Sequence, residues 1–432
     1  MSTRANHTEE GEAQMLLSKH TAVKLGPDQA NIIGHMCYAA YKLWNVCNYE
    51  RIHYKELNLT SYPDWYYQKS SHKGDLWYKS LPSQTAQECL KQLDKSWKSF
   101  YALKKSGGIE NPHPPYFKRE GMVITYMQMG IVHKKESDEV RLSLPGQLKA
   151  YMSEAYKIHE RFLYLKNKVF QGMDRIKQIK VYPPDDSGRS RLIVIYETED
   201  VPKKKDNGRY LSIDLGLHNL MTAYDNSGKS FILGRQYLSI CRKYDKEIAR
   251  VQSQWGAQQA RAGIKHPVSS VHIRRLYEKK RNAVLDYLHK VTRQAVNYCA
   301  EHDIRTVVIG DISGIRKDTD LGRRTNQKLH SLPYGKIYTM LEYKLAMAGI
   351  RLIEQKEAWS SQCSPVSPEV SREYAKKANR RHRGLYEDGG CVWNADAVGA
   401  FNILRKYHAV SGRRFDMPVS GLEKVRVIKV AV

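Results

Sequence analysis

No stretch of this sequence approaches the ~20 consecutive apolar residues that a membrane-spanning helix needs, so a chain threaded through a bilayer by helices is excluded. The first twenty residues are polar and lack the apolar centre of a secretory signal. Cysteine is scarce and odd in number, seven in 432 residues and widely scattered. That argues against a disulfide framework and for the reduced thiols of a cytosol. No repeat of about 20 to 50 residues is visible, which removes solenoids and propellers. Phenylalanine is rare, 7 against 29 tyrosines. Tyrosine-rich surfaces can stack on bases and still meet water. Acid is the last shortage: 45 Asp and Glu face 71 Lys and Arg, a formal net charge of +26. Such an excess suits a polyanion, because every neutralised phosphate releases condensed counterions.

Three short stretches, far apart in sequence, each carry a lone carboxylate at a strand end or helix start. Tyr210 to Leu217 reads Y-L-S-I-D-L-G-L. Its alternation predicts a strand with Asp214 on the face opposite Leu211, Ile213 and Leu215. Arg305 to Asp311 reads R-T-V-V-I-G-D, an apolar run that predicts a buried strand ending in Gly310 and Asp311. Asn394 to Leu404 reads N-A-D-A-V-G-A-F-N-I-L. There Asp396 stands before a helix whose Ala397, Gly399 and Ala400 allow close packing. Asp396 is either a helix cap or one of a set of acids. Strand-end carboxylates joined by a helix-start carboxylate are what a Mg²⁺ site needs, since hard Mg²⁺ takes a few carboxylates plus waters and phosphate oxygens.

On these motifs the chain resembles the split RuvC nuclease domain of transposon-encoded TnpB proteins and miniature type V CRISPR effectors. The resemblance covers most of Tyr210 to Tyr407. It includes L-D-Y-L-H-K-V-T-R-Q-A-V (Leu285 to Val296) and G-R-R-T-N-Q-K-L-H (Gly322 to His330). It implies a multidomain α+β chain: a ribonuclease-H-like (RuvC) domain preceded by a small antiparallel β-barrel (wedge) domain with an inserted helical recognition lobe. Residues 1–20 are then a disordered lead and 21–30 the first barrel strand. Residues 31–110 are the helical lobe and 111–200 the rest of the barrel. The nuclease domain occupies 207–362 and, with a C-terminal tail, 393–432. Residues 363–392 form a degenerate zinc-knuckle-like insert that binds target nucleic acid.

Local patterns agree with that outline. Ile32, Met36, Ala39, Leu43 and Val46 recur at helical spacing, as do Ala86, Leu90, Leu93, Trp97 and Tyr101. The prolines of Asn111 to Arg119 force an extended linker. Short alternating runs follow to Glu199. Beyond the Asp214 strand the expectation is an antiparallel meander and two basic helices, about Gln236 to Trp255 and Val271 to Ala300, broken near Gly256 to Pro267. The Val307 strand, a helix Gly335 to Ala348 and a strand Ile350 to Gln355 complete it. That order puts the Asp214 and Val307 strands side by side.

Two departures from the family matter. The family carries two Cys-x-x-Cys pairs before its last helix. Here Cys363 faces Val366 at the partner position, and only Cys391 remains downstream, after Gly389-Gly390. Cys363 and Cys391 would be the residual zinc ligands, with His382 a third, and two thiolates do not close a tetrahedral site. A metal-free loop is expected. The family's second acidic strand also ends in Glu-Asp, whereas this one ends in Gly310-Asp311. The adjacent strand runs out at Glu357, and neighbouring strands lie about 4.8 Å apart, a gap that a Glu side chain spans. Glu357 is therefore the expected third acid, Asp311 the second choice.

The resemblance implies an RNA-guided DNA endonuclease. Asp214, Glu357 and Asp396 would be its catalytic residues, holding two Mg²⁺ roughly 3.5–4 Å apart. Guide RNA, target double-stranded DNA and its displaced single strand are the implied partners, with no membrane. Arg323, Arg324, Lys328, Arg380, Arg381 and Arg383 in the nuclease part, and Lys118 and Arg119 in the linker, are the expected nucleic-acid contacts. Loss of the usual glutamate leaves a nuclease-dead, RNA-guided repressor as the alternative, and a structure-specific nuclease without a guide as a third.

Overall fold

The structure, a computed structural model, describes residues 14–311, 332–380, 382, 384–413 and 415–431. It is a mixed α+β chain of two units, one ending at Asp200 and one beginning at Val201.

The first unit opens with β1 (Gln14–Lys24), followed by α1 (Pro27–Ile52), α2 (Trp65–Ser71), α3 (Leu76–Lys79) and α4 (Ser83–Ser106). Then come β2 (Ile124–Met127), β3 (Ile131–His133), β4 (Glu139–Ser143), α5 (Gly146–Tyr156), β5 (Phe162–Lys166), β6 (Arg175–Val181) and β7 (Arg189–Glu199). The strands form two separate antiparallel sheets, in the orders β1-β7-β6-β2 and β3-β4-β5.

The expected disordered lead is corrected here for residues 14–20, which lie in β1 and pair with Tyr196 to Glu199 and their neighbours. The stretch Q-M-L-L-S-K-H lacks a strand's regular alternation, because β1 is an edge strand. Its backbone is satisfied by β7 while most of its side chains face water, Val23 being its buried residue. Helix α1 likewise starts four residues before the expected lobe boundary. Pro27 suits the first helical position, and the Gln29 side chain accepts from Gly26 N–H at 2.9 Å.

Ile32, Met36, Leu43, Leu90 and Leu93 from the helices share one core with Val140, Leu163, Ile179 and Val194 from the sheets. The buried stripe of α1 runs through Cys47, while Val46 is exposed. Inside this core Arg51 is 2 % exposed and pairs with Asp94 at 3.0 Å.

The second unit is built on a six-stranded sheet in the order β12-β11-β8-β9-β10-β15. β8 (Tyr210–Asp214), β9 (Met221–Asp225) and β10 (Lys229–Leu233) are the expected antiparallel meander. β11 (Thr306–Asp311) adds parallel to β8, placing Ile309 opposite Ile213. β12 (Arg351–Lys356) adds parallel to β11, placing Gly310 opposite Gln355. β13 (Leu385–Asp388) and β14 (Cys391–Asn394) form a separate hairpin, and β15 (Arg426–Val427) closes the far edge beside β10.

Helices α6 (Tyr237–Arg261), α7 (Val271–Glu301) and α8 (Tyr334–Ala346) bury one sheet face against Leu211, Ile213, Val307 and Ile309. Helix α9 (Ala395–Ser411) buries the other, against Tyr210, Tyr224 and Val308. Both faces of β8 are thus covered, as parallel pairing requires. Asp214, alternating with Ile213, belongs to the α9 face. The expected break between the two basic helices falls at residues 262–270, and α6 runs on through Gly256 to Arg261. A glycine costs a helix only about 1 kcal/mol relative to alanine. No helix among the described residues is long and apolar enough to cross a membrane.

Candidate active site

The carboxyl ends of β8, β11 and β12 meet the start of α9. Asn394 caps that helix, its side-chain oxygen accepting from the N–H groups of Asp396 and Ala397 at 3.1 and 3.0 Å. Capping is therefore not the task of Asp396. Its carboxylate accepts instead from the Asn219 amide at 2.7 Å, with Arg380 at 3.8 Å. Asn219 follows β8, so the strand that carries Asp214 also orients Asp396.

One turn further along α9, Gly399 faces Asp214. A Cβ there would stand 2.5 Å from Asp214 Oδ2 and 3.3 Å from its Cγ. Only glycine admits the carboxylate this close to the helix backbone. Gly310 plays the same part for Glu357. A Cβ on residue 310 would meet Glu357 Cγ and Cδ at 2.6 Å each and collide with Oε1. The Glu357 carboxyl thus fills the space in which a side chain on residue 310 would begin. Asp311, next along β11, projects to the alternate side of the strand, opposite Lys356 in register.

These acids act on one another. Burial raises Asp214 well above the usual carboxylate range, and the charges of Glu357 and Asp396 raise it further. Burial and then Asp311 push Glu357 up to about 7. Glu357 Oε1 is buried with no hydrogen-bond partner among the described residues, a costly state for a polar atom. Among the described residues no three such side chains enclose a cation by themselves. Crowded, mutually repelling carboxylates and an orphaned buried oxygen nevertheless fit Mg²⁺, which keeps several waters and takes further ligands from its substrate.

The loop after β12 is tied to α9 by polar side chains that sequence reasoning missed. Buried Asn402 donates to the Ser360 and Cys363 carbonyls at 2.8 Å each. Arg405 reaches the Ser364 carbonyl at 3.0 Å, and Lys406 reaches the Ala358 carbonyl at 2.9 Å. Cys363 is buried and donates to the Ser371 carbonyl at 3.2 Å, whereas Cys391 is exposed. The turn before Cys391 has positive φ at both Gly389 and Gly390, 57° and 80°. That is the requirement of a two-residue hairpin turn, and it serves the β13–β14 pairing. Removing Asn402 strands two buried carbonyls, so Asn402→Ala should cost about 3 kcal/mol. Faster amide exchange across residues 357–375 would report it.

Of the expected nucleic-acid contacts, Arg380 lies beside Asp396. In the first unit, Lys118 is pinned by backbone bonds to Asn45 with its ammonium 4.6 Å from the Trp44 ring, and Arg119 is exposed. Arg323, Arg324, Lys328, Arg381 and Arg383 lie outside the described residues. Nothing in the sequence singled out Asn219, Asn402 or Lys406, whose partners are distant in the chain.

The second unit thus sets acids along the carboxyl ends of adjacent strands in a sheet covered on both faces. Two family models match parts of the chain. A probable transposase model, OrfB_IS605, matches residues 193–316, which hold Asp214 and Asp311. A Cas12f1-like TNB domain model matches 334–403, which hold Glu357 and Asp396. An Escherichia coli (strain K12) relative named "Putative RNA-guided DNA endonuclease InsQ" is 23% identical over 346 residues, 77% of each chain. The Cas12f1 chain of a cryo-EM Cas12f1–sgRNA–target DNA complex aligns with a TM-score of 0.58 at 12% identity, over 87% of this chain and 82% of that one. These matches are to TnpB-type transposon proteins and miniature type V effectors, which the chain resembles in sequence and fold.

Proposed function

We propose that this protein is an RNA-guided DNA endonuclease of a prokaryotic cytosol. Guide RNA would select the target strand by base pairing while the protein reads a short flanking duplex motif. The observation that carries the reading is the Glu357 carboxyl lying over Gly310. It returns an acid to the position that the Glu-to-Gly departure would have emptied, and so favours an enzyme over a nuclease-dead repressor.

Asp214, Glu357 and Asp396 would hold two Mg²⁺. The chemistry that Mg²⁺ supplies when bound is a water made nucleophilic near neutral pH and relief of charge at phosphorus. The chain's own work is positioning. Gly399 and Gly310 let two carboxylates seat against backbone, Asn219 fixes the third, and α9 is a rigid support for two of them. One such site would cut strands unwound in the displaced loop. The antiparallel strands and helices of the first unit would serve as wedge and recognition lobe, with Lys118 and Arg119 on the RNA or duplex.

Protein expressed with its native flanking DNA should retain one discrete, structured RNA through a high-salt wash. Recovery of only heterogeneous cellular RNA would count against the reading. Because loop 357–375 is held by Asn402, Arg405 and Lys406, the purified protein should contain well under one zinc per chain by elemental analysis. A stoichiometric signal would implicate Cys363, Cys391 and His382.

A further inference from the structure

The sheet face opposite α9 carries a feature that the cleavage site does not use. A cavity of about 610 Å³ opens between α7, α8 and the segment after β15. Its wall presents Lys290, Arg293, Lys344 and Lys429, together with His289 and Tyr343. Lys290 is paired, with Asp286 at 2.8 Å.

Lys344 is the unusual member. It is 3 % exposed. Its ammonium donates to the His289 carbonyl at 2.8 Å and to the Thr292 hydroxyl at 2.7 Å. Neither acceptor is charged. An ammonium taken out of water without a counter-ion costs several kcal/mol. Burial, and then the nearby Arg293, push it down to about 8. Among the described residues the other charged side chains of the lining are Lys290, Arg293 and Lys429, and a buried cation facing them is arranged for an anion. The Arg293 guanidinium offers a fork that matches phosphate oxygens, and the half-buried Tyr343 ring offers a flat face of the kind on which bases stack.

We propose that this cavity binds a phosphate of the RNA that the protein carries, Lys344 and Arg293 gripping the anion and Lys429 closing over it. The choice of RNA rests on the guide-dependent function proposed above. A strand held here lies on the sheet face away from Asp214, Glu357 and Asp396. It is therefore held without being cut, which suits a retained guide and not a DNA substrate.

The test uses RNA-free protein with inorganic pyrophosphate as probe, and then RNA. Pyrophosphate should raise the Tm of the unmutated protein by several degrees. Arg293 and Lys429 are exposed, so the double variant Arg293→Gln/Lys429→Gln should fold normally and lose that shift. The variant should also bind the co-purifying RNA roughly tenfold more weakly. Its salt dependence should fall by about 1.4 in log–log slope, the loss expected for two phosphate contacts on a single strand. A pyrophosphate shift unchanged in the variant would overturn the site. A lost shift with unchanged RNA affinity and slope would overturn RNA as the occupant, as would selective loss of target-DNA binding. If the unmutated protein binds no RNA at all, the functional reading and the RNA occupant both fail, and the pyrophosphate arm still reports on the cavity.

Discussion

Glu357→Gln is expected to abolish cleavage, by about 10³-fold or on the order of 4 kcal/mol of transition-state stabilisation, while RNA-guided DNA binding stays nearly intact. The substitution keeps the volume of a side chain already seated over Gly310 and removes only its charge. A ligand's charge matters far more to a hard cation than its size does. Because Glu357 Oε1 has no hydrogen-bond partner among the described residues, the glutamine disturbs no visible network, and loss of activity cannot be read as unfolding. Asp311→Asn is the internal control, expected to cause at most partial loss, since β11 turns Asp311 to the side opposite the Gly310 position. Full cleavage by the Glu357→Gln protein, with loss confined to Asp311→Asn, would move the third acid to Asp311.

Gly399→Ala should lower cleavage roughly 10²-fold, the cost of about 1 Å of misplacement at a reacting centre, with binding of RNA and target retained. The added methyl would stand 2.5 Å from Asp214 Oδ2. The carboxylate must swing away or the helix must back off the sheet. Overpacking of that kind also costs about 1–3 kcal/mol. A Cβ added to Gly256, within α6, would have nothing within 4 Å. Gly256→Ala should therefore stabilise by about 1 kcal/mol and leave cleavage unchanged. Equal effects from the two substitutions would show that Gly399 matters only for helix propensity.

The site is legible in the sequence to the extent that it follows from strand order. Val307 to Ile309 is a short apolar run and Leu211 to Asp214 an alternating one, and both patterns are those of strands. A helix between two parallel strands sets them side by side, so Glu357 had to emerge at the rim next to Gly310. What no sequence pattern conveys is the closeness of approach. That Glu357 lies over Gly310, and that Asp214 lies on Gly399, depends on tertiary placement across 47 and 185 residues of chain. The same holds for Asn219 on Asp396 and for Arg51 on Asp94, partners that no local pattern links.

Local errors have local causes. Residues 14–20 show no regular alternation because β1 is an edge strand whose pairing is through its backbone. The sequence marks Gly389-Gly390 before Cys391 as a turn without showing what it joins. Their positive φ values build a hairpin that Trp393 and Tyr386 anchor in the core.

The most direct test is cleavage of a plasmid carrying a sequence matched to the co-purified RNA, with Mg²⁺ and with EDTA, by the unmutated protein and by Asp214→Asn. The account predicts Mg²⁺-dependent cutting at the matched site, absent with EDTA and absent in the variant. Binding of the matched plasmid without any cutting, in Mg²⁺ or Mn²⁺, would contradict it and leave an RNA-guided protein that only occupies its target.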